Sequence, residues 1–390
     1  SLQGKVAGLQ IVSSGQPGRG ATVRVRGIGS FPNNALGNNE NNTSPLYVVD
    51  GMFFDNIDFL SPSDIATISV LKDASAAAIY GVRAANGVIL IETKSGSFEQ
   101  KAQISYDGYT GVQVAQNVLR MANAEQFVTF AKESGSVADI QYVDNAMQRF
   151  GRSRTNFNLP DVNTNWYKEV TRPARMQNHS LDVSGGSNKS NYSLGLNYMD
   201  QNGILNMENY YQRINLRGKI NFKATDWMTI GSNVVFSNAT QQNPENGAWG
   251  QAYFAVPILP VYDEANTKAT PINFASAQSI GYRDGQNPMP ALNFSDLRDK
   301  IRQVLGNMFV QIDLMDDLEF KSAYNYAYSG TNTRQARLPY FVSTGLQRNQ
   351  SNLIKRVGTG FNQIWDNTLT YNKKVNNHNF TILGGTSFRD

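Results

Sequence analysis

The chain has 390 residues, enough for two or three ordinary domains, and it contains no cysteine, which excludes disulfides and thiolate metal sites. Its formal charge of +4 is small and scattered, so we predict no nucleic-acid partner. Charged residues make up only 17% of the chain and aromatic residues 11%, which is typical of a β protein with aromatic belts. No apolar run reaches the roughly 18 residues of a transmembrane helix.

The segment 64–94 predicts two strands that flank a short helix. The β-branched run 67–71 and the apolar run 88–91 indicate the strands. Between them, Asp73 can cap an alanine-rich turn and Gly81 can end that turn in a left-handed conformation. These elements make a compact α/β unit. After residue 94 the sequence changes to long strands of alternating polarity separated by polar loops.

Four motifs succeed one another over the first 96 residues. They are SLQGKVAGLQ at 1–10, VRVRGIGS at 23–30, PLYVVDG at 45–51 and the segment 64–94. In this order they resemble the plug domain of the SusC/RagA family of TonB-dependent outer-membrane transporters. The resemblance implies a plug over residues 1–96. Its mixed sheet, with strands near 23–27, 45–50, 66–71 and 87–93, is expected to sit inside a barrel.

The same resemblance implies a function and partners. The expected function is active import of an oligosaccharide or a peptide across the outer membrane of a Gram-negative bacterium, with no cofactor, no metal and no enzymatic activity. The expected partners are a SusD-like surface lipoprotein that caps the barrel, the lipid of the outer membrane, and TonB. We expect TonB to act through an amino-terminal segment that is missing from this chain.

Residues 97–390 alternate between apolar and polar positions, as the strands of a membrane barrel do. We count about nine strands of roughly ten residues or more, which predicts the amino-terminal part of a transmembrane antiparallel β-barrel. Plugged barrels of this type have about 22 strands, so the barrel is expected to be incomplete here. The fold class is therefore mainly β, with a small α/β plug in front.

The clearest strand covers residues 210–222 and fixes which side chains share a face. Its apolar positions are expected to face lipid, together with the stripe Tyr192, Leu194, Leu196 and Tyr198. Its polar positions are expected to line the lumen; they are Arg213, Asn215, Arg217 and Lys219. We favour pairing of these cations with plug carboxylates over direct substrate contact, and we expect a polar change at Asn215 to be mild.

Connections between these strands alternate strictly in length. Four tight ones, at 186–190, 223–227, 315–317 and 372–377, are expected to be periplasmic turns. Three long ones, at 117–176, 239–302 and 329–356, and an intermediate one at 200–209 are expected to be extracellular loops. Within the first long loop, residues 123–134 predict a helix with Asn123 as its N-cap and with Phe127, Phe130 and Ala131 on one face.

Two groups of side chains are candidates for substrate binding. The first is an asparagine-rich connection between two plug strands, with Asn33, Asn34, Asn38, Asn39 and Asn42. Carboxamides hydrogen-bond sugars or peptide backbones without adding charge, but such a segment is equally consistent with a solvated loop. The second is Trp249 and Tyr253 in a long loop, whose rings can stack on sugars, contact a partner protein or pack within the loop.

Other functions are weighed against transport. The two histidines, His179 and His378, are far apart in sequence and are predicted to be structural, and no catalytic constellation stands out. A soluble carbohydrate-active enzyme would need a pair of carboxylates in a cleft rather than long aromatic-striped strands. A passive porin or a surface adhesin on the same barrel remains the alternative, although neither requires a plug.

Overall fold

The structure is a computed structural model of the chain. The residues that it describes are 9–12, 15–20, 22–25, 44–54, 56–72, 80, 84–243, 247–282, 287–375 and 378–390.

The plug is built on a four-stranded mixed sheet. Its strands are β3 (Leu46–Val49), β4 (Met52–Phe54), β5 (Ile65–Leu71) and β6 (Val88–Thr93). They lie in the order β4-β3-β6-β5, with β3 parallel to β6 and the other pairs antiparallel. A separate antiparallel pair consists of β1 (Leu9–Val12) and β2 (Thr22–Val25). The run Leu46–Val49 is buried throughout, as expected for a central strand.

Four of these six strands correspond to the strands that the sequence predicts, and β1 and β4 were missed. The turn before β4 has a recognisable sequence signal, which is the pair Asp50-Gly51. In the structure these residues have φ angles of 47° and 87°. An Asp-Gly pair with both φ angles positive is the preferred two-residue hairpin turn. Asp73, Gly81 and residues 26 and 27 lie outside the described residues.

The wall is a nine-stranded antiparallel sheet in which chain neighbours pair in order. Its strands are β7 (Gln103–Gln113), β8 (Ala174–Gly186), β9 (Ser190–Asn202), β10 (Tyr210–Thr225), β11 (Met228–Asn243), β12 (Ser295–Met315), β13 (Leu318–Arg337), β16 (Asn352–Val375) and β17 (His378–Arg389). A small hairpin, β14 (Tyr340–Ser343) and β15 (Leu346–Arg348), lies between β13 and β16. The predicted nine strands and the partial barrel are confirmed. No described helix is long and apolar enough to cross a membrane.

Several wall strands run further into the loops than predicted. The predicted loop 239–302 is too long, since β11 continues to residue 243 and β12 begins at residue 295. The predicted loop 329–356 is also too long, since β13 continues to residue 337 and β16 begins at residue 352. These extensions are polar and lack apolar alternation, yet their backbone groups still pair in register. Ladder hydrogen bonds therefore continue where hydrophobic patterning has ended.

The long loops fold into a helical layer at one end of the wall, which we call the loop end. The helices are α1 (Ala124–Glu133), α2 (Val137–Phe150), α3 (Trp166–Val170), α4 (Ala248–Phe254) and α5 (Met289–Asn293). They share one apolar core, which includes Val128, Val143, Val170 and Ile258. The opposite end, with the tight connections, is the turn end.

Helix α1 begins as predicted, with Asn123 as its N-cap in a capping box with Gln126. Of the three residues predicted to share a face, Phe130 is 70% exposed. Ala124, Val128 and Ala131 are buried instead, because the helix meets the core along a stripe rotated away from that ring.

Candidate functional site

The wall and the plug meet along the polar face of β10. Side chains on this strand alternate strictly, so that Ile214 and Leu216 are exposed while Arg213, Asn215 and Arg217 are buried. The buried side chains and Lys219 contact plug residues between positions 50 and 94. The structure therefore brings together all four residues that the sequence singled out as lumen-lining, against a plug that covers them.

Arg217 is the centre of a buried ion-pair cluster. Its guanidinium lies 3.4 Å from an Asp64 carboxylate oxygen and 2.7 Å from an Asp182 carboxylate oxygen, and its side chain is 1% exposed. It also donates to the carbonyl of Lys94 at 2.7 Å and to the hydroxyl of Ser193 at 2.9 Å. One cation thus joins two plug segments to two wall strands.

The carboxyl of Asp64 lies in a buried position, and burial disfavours its ionised form. Asp64 ends a short 3-10 turn of residues Pro62–Asp64 and is 3% exposed. Burial raises its pKa, and the nearby Arg217 guanidinium opposes that rise. The ionised carboxylate therefore depends on Arg217 more than a surface aspartate would depend on its partner.

A second set of contacts holds three consecutive plug carbonyls. Arg213 donates to the carbonyls of Asp58 and Leu60, and Asn215 donates to the carbonyl of Phe59 at 2.6 Å. Arg213 therefore pairs with backbone oxygens rather than with a plug carboxylate. Asp58 in turn accepts from the backbone N–H of Gly20 at 3.0 Å, and burial raises its pKa.

The turn between β3 and β4 is also tied to the wall. The Asp50 carboxylate accepts from the Asn233 amide at 2.5 Å and lies 3.5 Å from the Lys219 ammonium. The same carboxylate accepts from the backbone N–H of Thr93 at 3.1 Å and from its hydroxyl at 2.6 Å. Asp50 therefore links the plug sheet to β10 and β11.

An apolar patch completes the contact. Val235 on β11 and Leu305 on β12 are each 2% exposed, and they pack in one cluster with Met52 and Phe59 of the plug. Burial in this cluster also raises the pKa of Tyr47 to about 12, so its hydroxyl stays protonated at neutral pH. The plug is therefore seated by both polar clamps and apolar burial.

These contacts change what we expect of Asn215. The sequence alone suggests that a polar change there is mild, but the side chain is 1% exposed and hydrogen-bonded to the plug. Asn215→Ala leaves the Phe59 carbonyl buried without its donor, so we expect the free energy of unfolding to fall by about 1–3 kcal/mol. The measurement is chemical denaturation of the full-length protein in detergent.

Asn238→Ala is the matched control for that substitution, because Asn238 lies exposed on the opposite face of neighbouring β11. It should change stability by no more than about 0.5 kcal/mol. Equal effects of the two substitutions would show that Asn215 does not seat the plug.

A cavity of about 750 Å³ lies between the plug and the wall on the side of the loop end. Gly18, Arg19, Asp58 and Tyr47 line it from the plug, and Gln201 and Tyr211 line it from β9 and β10. Gly18, with a φ of 70°, packs so closely on the Tyr211 ring that a Cβ atom would lie 2.0 Å from it.

The first candidate group for substrate binding is the asparagine-rich connection between two plug strands. Asn33, Asn34, Asn38, Asn39 and Asn42 lie outside the described residues. Thr22 and Ser44, on either side of that segment, line the cavity.

The loop layer contains a second cleft of about 360 Å³. Tyr253 lines this cleft, whereas Trp249 packs on Tyr167 with ring centroids 4.7 Å apart. The two residues are 47% and 41% exposed, so the structure does not bring them into one binding site. Sequence reasoning missed the other cleft side chains, which include Phe127, Trp166, Tyr282, Asn123, Asn163 and Asn165.

The two histidines contact aromatic side chains of the wall. The Nδ1 atom of His179 lies 2.7 Å from the Tyr106 hydroxyl on the neighbouring strand, and the His378 ring lies tilted against Phe380 with ring centroids 6.3 Å apart. Within the described part of the chain, no group of three or more His, Asp or Glu side chains could hold a metal ion.

Comparisons with known proteins agree with this architecture. The family model for the TonB-dependent receptor plug domain matches residues 1–88. The chain is 28% identical to TonB-dependent receptor P26 of Formosa agariphila, over all of this chain and 37% of that protein. It is 29% identical to TonB-dependent receptor SusC of Bacteroides thetaiotaomicron, over 85% of this chain and 33% of that protein. The chain therefore spans about a third of the length of these relatives.

Solved structures show the same fold. The chain superposes over its whole length on 45% of a chain of the RagAB peptide transporter, with a TM-score of 0.77 and 23% identity. The siderophore receptor PirA of Acinetobacter baumannii is more distant, with a TM-score of 0.50 and 14% identity.

Proposed function

Since the chain belongs to the SusC/RagA family of TonB-dependent receptors, we propose that the whole protein imports a nutrient across the outer membrane of a Gram-negative bacterium. The observation that carries this proposal is the plug clamped to the polar face of a wall whose other face is apolar. A plug lowers the permeability of a pore. It is useful only when something displaces it on demand.

In this proposal residues 1–96 are the plug and residues 97–390 are the amino-terminal part of the barrel. The turn end lies in the periplasm and the loop end outside the cell. Arg213, Asn215, Arg217 and Lys219 line the lumen. The exposed aliphatic stripe, with Leu194, Leu196 and Leu216, faces lipid.

The polar clamps suit a plug that has to move. Hydrogen bonds and ion pairs to the wall can be exchanged for water when the plug is pulled, because the lumen is wet. Force from TonB, relayed from the inner-membrane proton gradient, then shifts the plug from an ordered to a less ordered state. The contacts at Asp58, Phe59, Leu60 and Asp64 are the ones that must break.

The nutrient is an oligosaccharide or a peptide. We place it on the loop-end side of the plug, at the 750 Å³ cavity, whose lining includes Thr22 and Ser44. Trp249, Tyr253 and the neighbouring Phe254, which is 65% exposed, offer rings to the nutrient or to a SusD-like lipoprotein lid.

Transport by this route should require both the plug and TonB. We expect a strain that carries the full-length protein to grow on its cognate nutrient, and to stop when TonB is removed at unchanged transporter levels. The assay is growth and uptake on a panel of labelled oligosaccharides and peptides.

A version without residues 1–96 is the control. It should admit small solutes regardless of identity and lose concentrative uptake. Accumulation that persists without TonB would contradict the proposal and favour the passive porin or adhesin.

A further inference from the structure

Positive charge collects on the outer face of the wall, just beyond its apolar band. On β12 the outward side chains run Ile312, Val310, Met308 and Val304 from the turn end, and then become Arg302, Lys300 and Arg298. The inward neighbour Leu305 is packed on the plug, which fixes the direction of the even-numbered positions. The change from apolar to basic therefore occurs within one pleat of the strand.

The two strands that follow show the same change at the same place. On β13 the outward rings of Tyr324, Tyr326 and Tyr328 precede Arg334, and on β16 the ring of Phe361 precedes Lys355. Register places Arg298 opposite Arg334, and Arg334 opposite Lys355. We call the five cations Arg298, Lys300, Arg302, Arg334 and Lys355 the basic patch.

The protein itself neutralises little of this charge. Asp296 lies within ion-pair distance of Arg298 and Arg334. It is the single carboxylate on the outward positions of β12, β13 and β16 among the described residues. Lys300, Arg302 and Lys355 are exposed, and no described carboxylate pairs with them. Because like charges on neighbouring strands repel, this arrangement calls for an anion from outside the chain.

The position of the patch indicates which anion it meets. Tyrosine and tryptophan rings mark the membrane interface of a barrel, and here Tyr328 and Phe361 lie between the apolar band and the cations. The patch therefore lies at the depth of the headgroups of the outer leaflet. Arginine offers a planar fork of donors that matches phosphate, and lysine adds a mobile point charge.

We infer that the basic patch binds the phosphorylated headgroup of an outer-leaflet glycolipid. The site anchors lipid against β12, β13 and β16 and sets the height of the wall in the membrane. It depends on the placement of the wall in the outer membrane, and it is independent of which nutrient is imported.

The test compares two double variants of the full-length protein, extracted from outer membranes in mild detergent. Lys300→Gln with Arg302→Gln removes two patch cations that have no protein partner. Lys189→Gln with Lys223→Gln removes two exposed cations at the turn end. Retained phosphorylated glycolipid is identified by native mass spectrometry and counted as organic phosphate per protein.

The wild type and the turn-end variant should retain the glycolipid. The patch variant should bind it about 30-fold more weakly, as expected for two cations near an anionic surface. Retention by the wild type should also fall as salt is raised. Heat-modifiable migration of each variant reports that its barrel is folded, and uptake of the nutrient should be the same for both variants.

Three results would overturn the inference. One is equal glycolipid retention by the patch variant and the wild type. Another is free phosphate, rather than a lipid, as the only phosphorylated species bound. The third is an acidic protein that occupies the patch in place of lipid.

Discussion

Arg217→Ala should lower the free energy of unfolding of the full-length protein by about 3–5 kcal/mol, because it leaves carboxylates buried without their cation. Asp64 and Asp182 both lie within 3.4 Å of the guanidinium, and the cluster is almost fully buried. Chemical denaturation in detergent measures the loss. Native-state proteolysis of residues 44–94 should accelerate at the same time, since the plug is no longer held.

The loss at Arg217 should depend on pH in a defined direction. Burial raises the pKa of Asp64 and Arg217 opposes that rise, so the variant raises the pKa of this carboxyl further. A carboxyl with a raised folded pKa costs stability when it is ionised, and that cost disappears as the pH falls through the folded pKa. The deficit of Arg217→Ala should therefore shrink between pH 7 and about pH 4, the ordinary range of aspartate.

Arg175→Ala is the matched control for Arg217. Arg175 is exposed on the outer face of β8 and, among the described residues, donates only to the neighbouring Gln177. Its removal should change stability by no more than about 0.5 kcal/mol. An Arg217 deficit that is absent, or that grows on acidification, would contradict the role of Arg217 as the clamp of the plug.

Leu216→Arg should destabilise the barrel by about 2–4 kcal/mol if the residue lies near the bilayer midplane. Leu216 is the outward neighbour of Arg217, is 50% exposed, and pairs opposite Leu196 and Phe236. A cation there has to leave water for lipid, whereas the leucine does not. Chemical denaturation of the full-length protein folded into phospholipid vesicles gives the free energy.

Gln212→Arg tests the same chemistry on the same strand and face, two outward positions nearer the loop end. Beyond the apolar band the charge should cost at most about 1 kcal/mol. If both substitutions cost the same, the outer face of β10 is not in contact with lipid.

The alternation of buried and exposed side chains along β10 could be predicted from the sequence. Successive side chains of a strand point to opposite faces, and this does not depend on the neighbouring elements. The cap of α1 was readable for a similar reason, since Asn123 and Gln126 satisfy backbone groups only three residues apart. The Asp50-Gly51 turn also carried its own signal, although β4 was missed. Local geometry and local hydrogen bonding are sufficient for all three.

The contacts of β10 were not readable in this way. Arg217 and Asp64 are 153 residues apart, and Asn215 and Phe59 are 156 apart. No local rule connects such positions, and the sequence predicted a mild effect at Asn215 because it could not show that the plug covers this residue. The polar extensions of β11, β12, β13 and β16 were missed for a related reason, since backbone pairing with a neighbouring strand is not visible in the local sequence.

The sequence by itself thus determined the order of elements, the parity of the strands and the family, because periodicity and short motifs depend on neighbouring residues. Only the tertiary structure decided which plug groups the buried side chains of β10 hold, how far the strands extend, and that five cations form one patch. The plug contacts arise when β10 packs against the plug, and the basic patch arises when β12, β13 and β16 pair in one sheet. The free energy of each contact then depends on how deeply its groups are buried and on partners that are far away in the sequence.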